Sequence, residues 1–174
     1  MFHKFNSPAL ALLAGALFAC SDSSGPRANA VVSIQDECDP ATFNAALGAG
    51  TCSRQGNVSF ASFNNELNAT QKVAKWQFVP TALTIHVGQS ITAMNNGGEV
   101  HSFTEVAQFG GGVVPSLNQA SGNPVEAPEC AQLPATDLIA AGHTFVSDVA
   151  TTVETENYQC CIHPWMRATV TVVP

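Results

Sequence analysis

From Trp76 to Pro174 the chain is written in short pieces, and that punctuation limits its fold more than any other feature. WQFVP, ALTIHVG and QSITAMNNGG follow one another, divided by Pro80 and by the Val87-Gly88-Gln89 turn. HSFTEVA (101–107), HTFVSDV, TVETENYQC and RATVTVV continue the series to the end. Each piece reads as a strand bounded by turn residues. In LTIHV, Leu83, Ile85 and Val87 share one face and Thr84 and His86 the other, the alternation of a half-buried strand. His86 is therefore expected on the exposed side. Between two of these pieces runs a Gly-, Pro- and Asn-rich excursion, GGGVVPSLNQASGNPVEAPECAQLP, expected to be a long surface loop. Short strands, frequent turns and no long helical pattern predict an all-β sandwich or barrel.

Ahead of this region the signals change. Lys4 and the apolar run ALALLAGALFA (9–19) have the form of an export signal, too short to cross a bilayer comfortably. The run ends at Cys20, in a pattern similar to a bacterial lipobox, in which the cysteine becomes lipidated. A second cleavage site, Ala28-Asn29-Ala30, competes with it. The expected organisation is a signal over 1–19, a flexible tether over 20–30 and an extension of uncertain structure over 31–73. The β-domain then occupies 74–174. Within 31–73, VVSIQ has strand character, Pro40–Leu47 reads as one or two helical turns closed by Gly48, NVSFASF alternates weakly, and NNELNATQKV suggests a short helix. Only 11% of the chain is charged and its formal charge is −7, with six Lys and Arg in all. So few basic residues argue against nucleic acid as a partner.

Six cysteines in an exported chain are read first as disulfides. Cys20 belongs to the export signal, which leaves Cys38, Cys52, Cys130, Cys160 and Cys161. One of the five is left over. Cys38 and Cys52 bracket a short segment, so a local bridge between them is expected.

The leftover thiol lies in a chemically dense stretch, YQCCIHPWM (158–166). Cys160-x-x-His163-x-x-Met166 joins the end of one strand to the start of the next. His101 opens another strand after the Asn95-Asn96-Gly97-Gly98 turn. A thiolate, two imidazoles and a thioether are the donor set of mononuclear electron-transfer copper. Taken together, TALTIHVGQSITAMNNGGEVHSFTEV and AGHTFVSDVATTVETENYQCCIHPWMRATVTVV resemble the cupredoxins: plastocyanin, azurin and, closest in the Cys loop, amicyanin.

The resemblance covers 74–174, interrupted by the 108–140 excursion. It implies a Greek-key β-sandwich and a single type 1 copper ion. The implied equatorial ligands are His101, Cys160 and His163, with Met166 axial. It also implies an apolar docking edge at His163-Pro164-Trp165 for redox partner proteins. Cys160, not Cys161, has the family's spacing to His163 and Met166. Cys161 then joins Cys38, Cys52 and Cys130. Four cysteines allow three connectivities, of which Cys38–Cys52 with Cys130–Cys161 is preferred.

The expected function is a one-electron carrier outside the cytoplasm, with copper storage or delivery by the same ligands as the alternative. An oxidase or nitrite reductase would need a second copper site. No His-x-His pair exists to build one, and Gln159 and Cys161 flank the cysteine. Structural zinc on Cys130, Cys160, Cys161 and His163 is disfavoured, because adjacent cysteines fit one tetrahedron poorly. His143 is expected to be exposed, Glu99 and Glu105 to be solvated acids, and Trp76 and Tyr158 to be core aromatics.

Overall fold

A computed structural model describes residues 27–174. The run read as an export signal, with Cys20, falls outside the described residues. Among the described residues eight strands form two four-stranded sheets that face each other. They are β1 (Ala30–Gln35), β2 (Gln77–Val79), β3 (Ala82–His86), β4 (Ile91–Asn95), β5 (Thr104–Val106), β6 (Thr144–Val146), β7 (Thr155–Gln159) and β8 (Arg167–Val173). One sheet runs β2-β1-β4-β6 and the other β3-β8-β7-β5. From β2 to β7 the chain changes sheet at every step, so each connection crosses the end of the sandwich.

Alternation along the strands builds the core between the sheets. Ile91 and Ala93 of β4 and Ala168, Val170 and Val172 of β8 are buried, while their neighbours Met94 and Thr171 face outward. Phe78, Phe103 and Tyr158 pack in a row through the interior, Phe78 edge-on to Phe103, and Phe103 and Tyr158 nearly parallel with ring centroids 4.3 Å apart. Trp76 and Tyr158 are thus core residues, as expected.

The stretch 31–73 is built into the sandwich. β1 lies between β2 and β4, antiparallel to one and parallel to the other, with Val32 opposite Ala93 and Ile34 opposite Asn95. The same stretch contributes two helices, α1 (Pro40–Leu47) and α2 (Phe60–Thr70). Asp39 caps α1 by accepting from the Ala41 and Thr42 amides, and Gly48 ends it at φ 111°. Ser59 caps α2, so Phe60 and Phe63 are helical, not part of an alternating strand. The cap overrides a weak alternation because it satisfies amides that a helix start leaves free.

The excursion is also more ordered than a surface loop. It holds α3 (Pro115–Ala120), α4 (Pro128–Ala131) and a 3₁₀ turn at Ala135–Asp137. Cys130–Cys161 ties it to the sandwich, and Cys38–Cys52 closes the N-terminal segment. This is the preferred pairing of the three. Among the described residues no helix is long and apolar enough to cross a membrane.

Candidate metal centre

His101, Cys160 and His163 meet at one end of the sandwich, all buried, with one donor atom from each lying within 4.8 Å of the others. Different parts of the fold deliver them. β7 ends at Gln159, and Cys160 follows as the chain turns; its amide donates to the Met166 carbonyl at 3.0 Å, and the Met166 amide donates to the His163 carbonyl at 2.9 Å. The loop therefore folds back on itself before β8 begins, which brings Cys160, His163 and Met166 to one place. His101 comes from the other side, pinned by paired backbone hydrogen bonds with Ile139.

Both imidazoles present Nδ1 to the sulfur. Cys160 Sγ lies 3.7 Å from His101 Nδ1 and 3.8 Å from His163 Nδ1, and accepts a weak hydrogen bond from the Ser102 amide at 3.4 Å. Among the described residues Cys160 is the one free cysteine. Burial alone would keep its thiol protonated, but hydrogen bonds and charge from His101 and His163 hold it well below the ordinary thiol range. Met166 is buried in the same apolar cluster as Cys160.

The outer ring nitrogens point at two carboxylates. His101 Nε2 lies 2.8 Å from Asp36 Oδ2, and His163 Nε2 lies 3.6 Å from Glu99 Oε2. Burial pushes Asp36 up, yet His101 and the Gly98 and Glu99 amides outweigh it and bring the carboxyl to about 2. Burial likewise disfavours a charged His101, but the hydrogen bonds its ring donates to Asp36 and Cys160 raise it to about 9. Glu99 is 6% exposed and accepts from Trp76 Nε1 at 2.6 Å. Burial raises its carboxyl pKa more than His163 and Trp76 lower it. Glu99 is therefore not the solvated acid expected from its place in a loop. Glu105 and His143 do face solvent, and His86 is half-buried, its Nδ1 against the Pro174 carbonyl.

The His163 edge is covered. His163 is only 3% exposed, with Phe63 of α2 and Trp165 packed against its ring at centroid distances of 6.5 and 5.4 Å. Beside it, between α1, α2 and α3, lies a mainly apolar cavity of about 270 Å³ lined by Phe43, Phe60, Phe63, Leu117 and Ile162.

Sequence reading passed over Asp36, one of thirteen acids with no motif around it. The faint signal was Gly97-Gly98. A Cβ at Gly97 would come within 1.9 Å of Asp36 Oδ2, and one at Gly98 within 2.6 Å of Cys38 Sγ. Two glycines side by side marked a close approach without saying to what.

Two facing β-sheets with a buried His101-Cys160-His163 cluster at one end define the class: an all-β sandwich carrying a candidate metal centre. No family model matches the chain, and no curated protein matches it. Among solved structures, a purple cupredoxin from Nitrosopumilus maritimus is 17% identical, with 83% of this chain and all of that one aligned at a TM-score of 0.46. Oxidised plastocyanin from Dryopteris crassirhizoma aligns over the same shares at 17% identity and a TM-score of 0.43. A mutant amicyanin in its Cu(I) form is 20% identical over 59% of this chain and 78% of that one, at a TM-score of 0.39. At such identities and scores these likenesses bear on neither ligand nor function.

Proposed function

We propose that the protein is a mononuclear type 1 copper protein that carries single electrons between redox partners. The observation that carries this reading is the meeting of two imidazole Nδ1 atoms with one unpaired thiol in a buried site. The donor set fits copper: a soft thiolate, two imidazoles and a nearby thioether suit both of its oxidation states. His101, Cys160 and His163 would hold the ion, with Met166 as the fourth and weaker ligand. A bound copper ion supplies the one-electron couple, and the protein catalyses no bond chemistry.

What the chain itself contributes is rigidity and exclusion of water. The ligands sit on a disulfide-tied sandwich, and the rings of Phe63 and Trp165 shield His163. Burial of every ligand favours a carrier over the storage or delivery alternative, because a donor must offer its metal to an incoming ligand. Partners dock at the His163-Pro164-Trp165 pole, facing the half-buried Trp165 and the aromatic layer, since His163 itself does not reach solvent. Two disulfides suit an oxidising compartment, so the site of action is the periplasm or cell surface, with a lipid tether at Cys20.

Titration of the purified chain with Cu(II) tests this reading. One equivalent is expected to give an intense blue absorption that ascorbate bleaches and reoxidation restores. Cys160→Ser is expected to abolish it. A copper-loaded protein without thiolate-to-copper absorption overturns the proposal.

A further inference from the structure

Asp36 directly follows β1, sixty-five residues before His101, and its side chain is wholly buried beneath the metal centre. Its carboxylate has no freedom to turn. Oδ2 takes His101 Nε2 at 2.8 Å, the Gly98 amide at 2.8 Å and the Glu99 amide at 3.0 Å, while Oδ1 takes the Cys38 amide at 3.1 Å. The donors are themselves fixed. Gly98 packs against both sulfurs of Cys38–Cys52, and Asn95 holds the 95–99 turn by bonding the Glu99 and Ile139 carbonyls and the Gly97 amide. A rigid acceptor thus stands opposite the outer nitrogen of His101.

We propose that Asp36 is a positioning residue for the copper site, a role that rests on the function proposed above. As an acceptor for Nε2–H it keeps that nitrogen protonated, so Nδ1, on the Cys160 side of the ring, is the nitrogen left to bind the metal. Its negative charge, delivered through the ring, makes Nδ1 a stronger donor and so favours Cu(II) over Cu(I). Glu99 stands in a looser relation to His163, at 3.6 Å and already bonded to Trp76, so the two imidazoles are not held alike. The end of the first strand therefore helps to set the electronic character of a site whose ligands all come much later in the chain.

The isosteric Asp36→Asn tests this, with Cu(II) and Cu(I) affinities measured separately by competition and the reduction potential by voltammetry. The full chain is expected to lose about 10–100-fold in Cu(II) affinity. Cu(I) affinity should fall less, so the potential rises. Equal losses in both oxidation states, with the potential unchanged, would reduce Asp36 to a structural role and overturn the proposal. The substitution also sets an amide NH₂ among backbone donors, so a measurement on the unaltered protein stands beside it. Nitrogen-15 NMR of the copper-free wild type is expected to show a proton on His101 Nε2, protected from exchange, whether or not Nδ1 also carries one. A ring protonated on Nδ1 alone overturns the proposal. That spectrum does not depend on copper, whereas wild-type protein that fails to form the blue site refutes the carrier reading by itself.

Discussion

Removing the Cys130–Cys161 bridge separates what the disulfide does for stability from what Cys160 does for the metal. The informative variant is Cys130→Ala/Cys161→Ala, because both residues are fully buried in a small apolar cluster and alanine brings no hydroxyl into it. The bridge spans 31 residues, for which loop-closure entropy gives about 3.7 kcal/mol at 25 °C. Lost sulfur contacts in the small cluster with Val106 and Ala127 add to this, so the expected total is about 4 kcal/mol. For a chain of this size that lowers the melting temperature by roughly 10 °C. Urea unfolding of copper-free protein measures the loss, and visible absorption of the copper-loaded protein measures the site. The absorption is expected to survive. Backbone bonds still hold position 161 in place: its amide donates to Ser102 Oγ at 2.9 Å and its carbonyl accepts from the Val113 amide at 2.7 Å. A stability loss below about 1 kcal/mol, well short of the loop-closure figure, or a folded protein without the blue band, would refute the reasoning.

Phe63→Ala removes a buried ring that touches Phe43, Trp76, Trp165 and His163, next to an existing cavity that hinders collapse. A cost of about 3–5 kcal/mol is expected by denaturant unfolding, along with faster electron exchange between His163 and small soluble oxidants in stopped-flow. The copper-free protein should lose stability in acid through Asp36. Its folded carboxyl sits at about 2 against an ordinary 3.8, so its contribution is complete above about pH 4 and disappears as pH falls through 2, about 2 kcal/mol in all. His101, raised to about 9 from 6.5, works in the opposite sense, its contribution being present below pH 6.5 and lost as pH climbs through 9. Chemical unfolding across that range should show the pair most stabilising between about pH 4 and 6.5, and Asp36→Asn should flatten the acid limb.

The strands of the second half and the tight Cys160–Met166 loop were legible because the rules behind them are local. Alternation in LTIHV, the turn at Val87-Gly88-Gln89 and the spacing of a cysteine, a histidine and a methionine act over a few residues. The convergence of His101 with Cys160 and His163 was anticipated by resemblance. Pro40 at the start of α1 and Gly48 behind it were legible on the same local grounds, whereas the weak alternation of NVSFASF misled because the Ser59 cap draws Phe60 and Phe63 into α2.

By itself, then, the sequence determined a β-rich chain with an odd thiol beside a histidine and a methionine. Tertiary structure alone decided that β1 enters the sheet beside β4, that Asp36 reaches His101 and that Glu99 is buried under Trp76. It also decided that α2 covers His163 and which of three disulfide pairings forms. Those outcomes depend on sheet register and on packing between distant segments, where the free energy comes from burying surfaces that are not neighbours in the chain. No periodicity along the sequence encodes them.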